Sequence, residues 1–423
     1  MKIVYLNPAG QPGGAEAVLL DVLAGLRSAQ PDWPLALILG QAGPVAGRST
    51  ALGVPTTVVP FPPELARLGD AGAGGPAGRQ VGPAALLRKF ASAVPALFRY
   101  RRSLRQAIAQ AQPDLLHSNG FKMHLLGLWS RTAHTPLVWH VHDYVSRRPL
   151  MARLMRWFAP HCALAVCNSH SVAADLAQLC PKLKIRTVVN AIDLERFSPT
   201  GPALDLDALA GLPAAAPGTV KIGLLGTMAR WKGHAVFLEA LAKLPPTLPV
   251  RAYIAGGSLY QTEGSQWNLD ELRALAARLG LTGRVGFTGF LNQPEAAMRA
   301  LDIVVHASTE PEPFGLVIVE AMACGRAVIA SQAGGAAEII EPGMNALAHR
   351  PGDAAELARG LEQLILNPSL RQSLGAAGRA TALRSFDRAR LADELILAYR
   401  EAVGPHARAR RSASARPELE PLA

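Results

Sequence analysis

Two glutamates, Glu312 and Glu320, stand eight residues apart around the turn Pro313-Phe314-Gly315 and the run Leu316-Val317-Ile318-Val319. A carboxylate accepts strong hydrogen bonds from a pair of hydroxyls, and the first amides of a helix attract anions. Acids beside a helix start therefore suit a ligand that carries sugar hydroxyls and phosphates together. The loop Gly226-Thr227-Met228-Ala229-Arg230-Trp231-Lys232-Gly233 supplies the matching cations. Lysine brings a point charge and arginine a planar fork, which together make a diphosphate clamp. Gly13-Gly14 forms a second phosphate-sized approach, because glycines between a strand and a helix let backbone N–H groups come close to an anion. The run ending His140-Val141-His142-Asp143 places histidines where a strand stops. Taken singly, each feature also has a plain structural reading: a solvated or capping acid, a basic surface loop, a tight turn, a buried histidine.

The elements that must position these groups follow from the apolar pattern. Leu301–His306 predicts a strand, Ala307–Thr309 a turn, Leu316–Cys324 a helix stopped by Gly325, and Arg326–Ser331 a second strand. Strand, turn, helix, strand is the unit of a parallel sheet, whose ligands sit at the carboxyl ends of the strands. There Glu312 and the amides of Phe314, Gly315, Leu316 and Val317 would meet them. Lys2–Leu6 and Val220–Leu225 are further apolar strands, leading into the Gly13-Gly14 loop and the Lys232 loop respectively. The helices after them are expected over Ala15–Arg27 and His234–Lys243. Asn168-Ser169 caps a helix from Ser171 to Leu179. The expected fold class is α/β, with two doubly wound Rossmann-like domains facing a cleft. The expected boundaries are 1–199 and 219–385, with a Pro/Ala/Gly-rich linker between them. A helix over 386–403 would cross back to the first domain, and 404–423 would be a disordered tail.

Glu312 and Glu320 with Pro-Phe-Gly-Leu between them resemble the E-x7-E motif of the retaining glycosyltransferases with the GT-B fold, family 4 type. The resemblance spans roughly Met1 to Val403. Gly13-Gly14-Ala15-Glu16 matches the family's N-terminal loop, and Val189-Asn190-Ala191-Ile192-Asp193 resembles the connector closing its first domain. The resemblance implies transfer of a hexose from a nucleotide-sugar to an acceptor hydroxyl with retention at the anomeric carbon. It implies Glu312 on the donor sugar's hydroxyls, Glu320 on the ribose, Lys232 with Arg230 on the diphosphate, and His142 at the reaction centre. No cofactor and no metal is needed by such a set, since basic side chains neutralise the leaving group. Thr227 departs from the pattern, which has arginine directly after the glycine. Two alternatives share the fold or its ligand: a nucleotide-sugar epimerase or a phosphorylase, and a non-catalytic sugar-nucleotide-binding scaffold at a membrane.

The remaining bounds are coarse. A chain of 423 residues, 49% of them hydrophobic, can bury two cores. Four cysteines without C-x-x-C spacing read as core thiols in a reducing cytoplasm. The start lacks the apolar length of a secretory signal. A net charge of +11 calls for an anionic partner. No nucleic-acid motif is present, and the basic residues of Leu86–Arg105, broken at Pro95, alternate with apolar ones. That pattern fits an anionic membrane surface, hence a cytoplasmic protein attached to the inner membrane face, with a lipid-linked sugar or polysaccharide as acceptor. Uridine, guanosine and adenosine diphosphate donors all remain open.

Overall fold

The computed structural model of the chain describes residues 1–63, 83–132, 134–257 and 265–414. Its strands are short apolar runs, and most are buried on both faces, as parallel strands covered by helices must be. In the first half β1 (Ile3–Asn7), β2 (Leu35–Leu39), β3 (Thr56–Val58), β4 (Leu115–Asn119), β5 (Leu137–Val141), β6 (Leu164–Cys167) and β7 (Ile185–Thr187) form one sheet of order β3-β2-β1-β4-β5-β6-β7. In the second half β8 (Val220–Leu225), β9 (Val250–Ala255), β10 (Val285–Gly289), β11 (Ile303–His306), β12 (Ala327–Ser331) and β13 (Leu347–His349) form another, of order β10-β9-β8-β11-β12-β13. Every pairing is parallel. Chain order reverses between β1 and β4 in one sheet and between β8 and β11 in the other. Such switch points open a crevice at the carboxyl ends of the strands.

The helices, single turns aside, are α1 (Gly14–Ala29), α2 (Pro44–Ala51), α3 (Pro83–Ala111), α4 (Phe121–Ser130), α5 (Pro149–Phe158), α6 (His170–Leu179), α7 (His234–Lys243), α8 (Leu269–Arg278), α9 (Pro294–Arg299), α10 (Leu316–Ala323), α11 (Gly335–Ile339), α12 (Ala354–Leu366), α13 (Pro368–Ser385) and α14 (Arg388–Ser414). They cover both faces of each sheet and close four apolar clusters, two per half. The C-terminal α14 belongs to the first half: Leu391, Leu395 and Tyr399 are buried with Val18, Val22 and Leu26 of α1. Gly25 permits that contact, since a methyl there would stand 2.9 Å from the Arg388 carbonyl oxygen.

Three expectations change. Pro95 does not break α3; it lies inside one continuous helix. A proline there costs about 3 kcal/mol, which burial of Ala96, Tyr100, Leu104 and Ile108 along one face offsets. α14 runs on through Gly404 to Ser414, past the expected end at Val403, and the remaining tail lies outside the described residues. Ser169, not Asn168, caps α6, its side chain accepting from the Val172 amide. The Gly/Ala-rich stretch 69–82 also falls outside the described residues.

Candidate active site

The loops after β1, β5, β8 and β11 bring most of the sequence-predicted residues to the facing strand ends. Gly13 precedes the first turn of α1 with an extended backbone, its carbonyl accepting from Ala17. A methyl added to Gly14 would lie 3.7 Å from Leu316 Cδ1, so the glycine loop meets the start of α10 across the cleft. Gly233 ends the basic loop at φ 77°, and a side chain there would run into the Ala307 carbonyl oxygen. That close approach fixes Lys232 over the end of β11.

Lys232 and Glu312 meet as an ion pair, with Nζ 2.6 Å from Oε1 and 2.8 Å from Oε2. Glu312 is buried, and two further donors serve it: Ser308 Oγ at 2.8 Å and His306 Nε2 at 3.3 Å, both on Oε2. Burial alone would raise this carboxyl. The Lys232 charge and the His306 hydrogen bond outweigh it and hold Glu312 well below the ordinary carboxylate range. Its backbone is tied as well, the Gly335 amide donating to the Glu312 carbonyl at 2.7 Å.

His142 follows β5. Its Nε2 lies 3.1 Å from Asn119 Oδ1, and its ring lies 4.0 Å from that of His140, centroid to centroid. Burial pushes His142 down to about 4, so the ring is neutral at physiological pH. With Asn119 Oδ1 accepting, the proton sits on Nε2, and Nδ1 is buried with no hydrogen-bond partner among the described residues. His140 turns instead into a buried chain, His117 to Tyr399 of α14, through contacts of 3.2 and 2.9 Å.

The other predicted residues are placed differently. Glu320 lies one turn into α10, and its carboxylate has no hydrogen-bond partner among the described residues. Burial pushes its carboxyl up to about 7, against the lowering charge of Arg196 and with the raising charges of Asp21 and Glu295. Arg230 is engaged elsewhere than on the Lys232–Glu312 pair: its guanidinium stacks 4.0 Å over the Trp267 ring and bonds Glu271 at 3.2 Å. Phe314 is buried in the apolar cluster, and Gly315 takes φ 109° to start α10 with Leu316 and Val317 in its first turn. The amides of such a first turn have no partner within the helix.

Sequence reasoning missed the groups that tie the two halves. Tyr144 donates to the Glu312 carbonyl at 3.2 Å and touches Ser171 Oγ at 2.7 Å. Arg147 pairs with Glu310 at 3.1 Å. Glu338 of α11 accepts from the His170 and Ser171 amides at 2.9 and 2.6 Å, so it occupies the amino end of α6. The contacts that cross from one half to the other join residues more than 160 positions apart, and no local pattern announces them. His306 and Ser308 were legible only as a strand end and its turn.

With this geometry in view, comparison with known proteins is informative. The sequence model described as "Glycosyl transferases group 1" matches residues 214–381, and that of "Glycosyltransferase Family 4" matches residues 12–196. The chain belongs to the group 1 glycosyltransferases. Within the group it is 31% identical over 232 residues to the lipopolysaccharide core biosynthesis glycosyltransferase LpsE of Rhizobium meliloti, covering 55% of this chain and 62% of that one. It is 31% identical over 289 residues to the D-inositol 3-phosphate glycosyltransferase of Corynebacterium jeikeium, covering 62% of this chain and 66% of that one. The chain thus spans a little under two thirds of the length of these curated relatives. Among solved structures, Anabaena Alr3699/HepE in complex with UDP-glucose superposes with a TM-score of 0.75 at 27% identity, over 94% of this chain and 99% of that one. The same protein has been solved with UDP and glucose, at a TM-score of 0.74 and 26% identity. The two facing doubly wound sheets are the GT-B fold of the group 1 glycosyltransferases.

Proposed function

We propose that the chain moves a hexose from a nucleotide-sugar to an acceptor hydroxyl with retention at the anomeric carbon. The observation that carries the reading is the Lys232–Glu312 pair, one cation and one buried carboxylate meeting where the loops after β8 and β11 converge. Lys232 would take the donor diphosphate and Glu312 the sugar hydroxyls. The amides of Gly13, Gly14 and the Phe314–Val317 turn would face the phosphates, and Glu320 the ribose. Charge builds on the leaving diphosphate as the C1–O bond breaks, so fixed donors around it would carry most of the rate enhancement. The departing phosphate would take the acceptor's proton, and neutral His142 would stand at the reaction centre beside it. The UDP and UDP-glucose complexes of Alr3699/HepE support a nucleotide-sugar donor.

Charge distribution supports a membrane-bound acceptor. Residues 71–174 contain 13 of the 43 Lys and Arg but 2 of the 32 Asp and Glu, so the rest of the chain is balanced at 30 of each. The stretch includes α3, α4 and α5, none of which contains an acidic residue. Phe98, Leu150 and Trp157 are exposed among those bases, Trp157 at 78%. Basic residues around exposed aromatic anchors are what an anionic bilayer attracts. No helix among the described residues is long and apolar enough to cross a membrane.

A thermal-shift screen of UDP-, GDP- and ADP-sugars tests the donor, since stabilisation grows with ligand concentration over affinity. A shift selective for one nucleotide, lost in Lys232→Ala, supports the reading; no shift with any removes it. The turn of Arg230 toward Glu271, together with Thr227, favours the scaffold as a second reading. Nucleotide binding without donor hydrolysis or transfer would select it.

A further inference from the structure

We propose that His306 and Ser308 are positioning residues that hold Glu312 in its working orientation when Lys232 turns to the donor diphosphate. The proposal rests on the reading of the cleft as a nucleotide-sugar site. Its basis is the unequal division of partners between the two carboxylate oxygens. Oε2 receives Lys232 Nζ at 2.8 Å, Ser308 Oγ at 2.8 Å and His306 Nε2 at 3.3 Å. Among the described residues Oε1 receives Lys232 Nζ alone, at 2.6 Å. When the ammonium is drawn to a diphosphate, Oε1 is the oxygen left for a sugar hydroxyl, and Oε2 keeps two donors.

The proton count agrees. A serine hydroxyl has one proton, and at 2.8 Å from Oε2 it is spent on the carboxylate. Ser308 Oγ and Glu312 Oε2 then share the one proton of His306 Nε2, at 3.1 and 3.3 Å, which puts the imidazole proton on Nε2. His306, Ser308 and Glu312 are all buried, at 3%, 1% and 7% exposure, so this anchoring is shielded from competing water. His306 is itself held from behind, its carbonyl oxygen 3.1 Å from His349 Nε2 of β13. Neither anchor reaches the Lys232 ammonium, so their effect is confined to the sugar end of the site.

The test separates sugar from diphosphate. Titration calorimetry measures Kd for UDP, GDP and ADP, each beside its glucose conjugate, in wild type, Ser308→Ala, Ser308→Thr and His306→Gln. A hydrogen bond to a charged group is worth about tenfold or more in affinity. The expected result is that Ser308→Ala binds the selected diphosphate as wild type does, while the ratio of conjugate to diphosphate Kd rises by about tenfold. Ser308→Thr keeps the hydroxyl and His306→Gln keeps a donor, so both hold the ratio near wild type. An unchanged ratio in Ser308→Ala overturns the proposal, as does equal weakening of diphosphate and conjugate. If wild type binds none of the six compounds, the donor reading falls and the proposal falls with it.

Discussion

Replacing Lys232 by alanine removes the lysine charge from a carboxylate that is 7% exposed. Breaking a buried ion pair from one side costs about 3–5 kcal/mol, because the other charge stays in place uncompensated. Ser308 and His306 still serve Oε2, and the lysine side chain is 21% exposed in the pair, so the lower end applies, about 3 kcal/mol at pH 8. The pH dependence is more diagnostic than the size. In the wild type the Glu312 carboxyl lies below its ordinary 4.5, so its contribution is present above that pH and is lost as pH falls through the depressed value. Without Lys232 the largest opposing influence, burial, would dominate and push the carboxyl above 4.5. Stability would then fall as pH rises above 4.5, and the deficit against wild type would shrink on moving from pH 8 to pH 5. Adding Glu312→Gln would recover most of the loss at pH 8. Calorimetric unfolding midpoints of wild type, both single variants and the double at the two pH values check this. A deficit that ignores pH and is not relieved by Glu312→Gln would refute the reasoning.

Three further predictions rest on separate features. Glu338→Ala frees the amino end of α6 and removes a tie between the halves; small-angle scattering is expected to report a larger radius of gyration, and an unchanged one would mean the tie holds nothing. Gly233→Ala is expected to destabilise by at least about 2 kcal/mol and to abolish donor binding, because the position combines φ 77° with a clash against the Ala307 carbonyl; unfolding midpoints and titration read it. The Glu320 carboxyl, pushed up to about 7 by burial, makes the fold lose stability as pH rises from 4.5 through 7. Glu320→Gln is expected to flatten that slope, seen as a smaller difference in midpoint between pH 5 and pH 8.5.

The fold was legible because its elements are locally consistent. Val220–Leu225 and His234–Lys243 are strand and helix where the apolar period places them, and Gly325 stops α10 in the left-handed conformation. The meeting of Lys232 with Glu312 was also within reach, because both loops follow strands that become neighbours at a switch point. Pro95 was misread since propensity was weighed without the buried face that carries α3 past it. The run of α14 beyond Val403 was missed because Gly404-Pro405 reads as a helix stop from sequence. Arg230 illustrates a different limit. Its type and loop fit a phosphate clamp, yet Trp267 offers a stacking face, and Trp267 is distant in sequence. His306, Ser308, Tyr144 and Glu338 act through contacts between elements, where residue type alone carries no signal.

The central claim is that this cleft breaks the anomeric bond of a nucleotide-sugar and rebuilds it on the same face. Proton NMR of the anomeric region, following the turnover of an α-linked nucleotide-glucose of the base selected by the thermal-shift screen, tests it most directly. The account predicts that the first sugar signal to appear is α, in transfer product or in slow hydrolysis to free glucose, and that Lys232→Ala loses it. A β signal appearing first, or equal turnover in Lys232→Ala, would contradict the account.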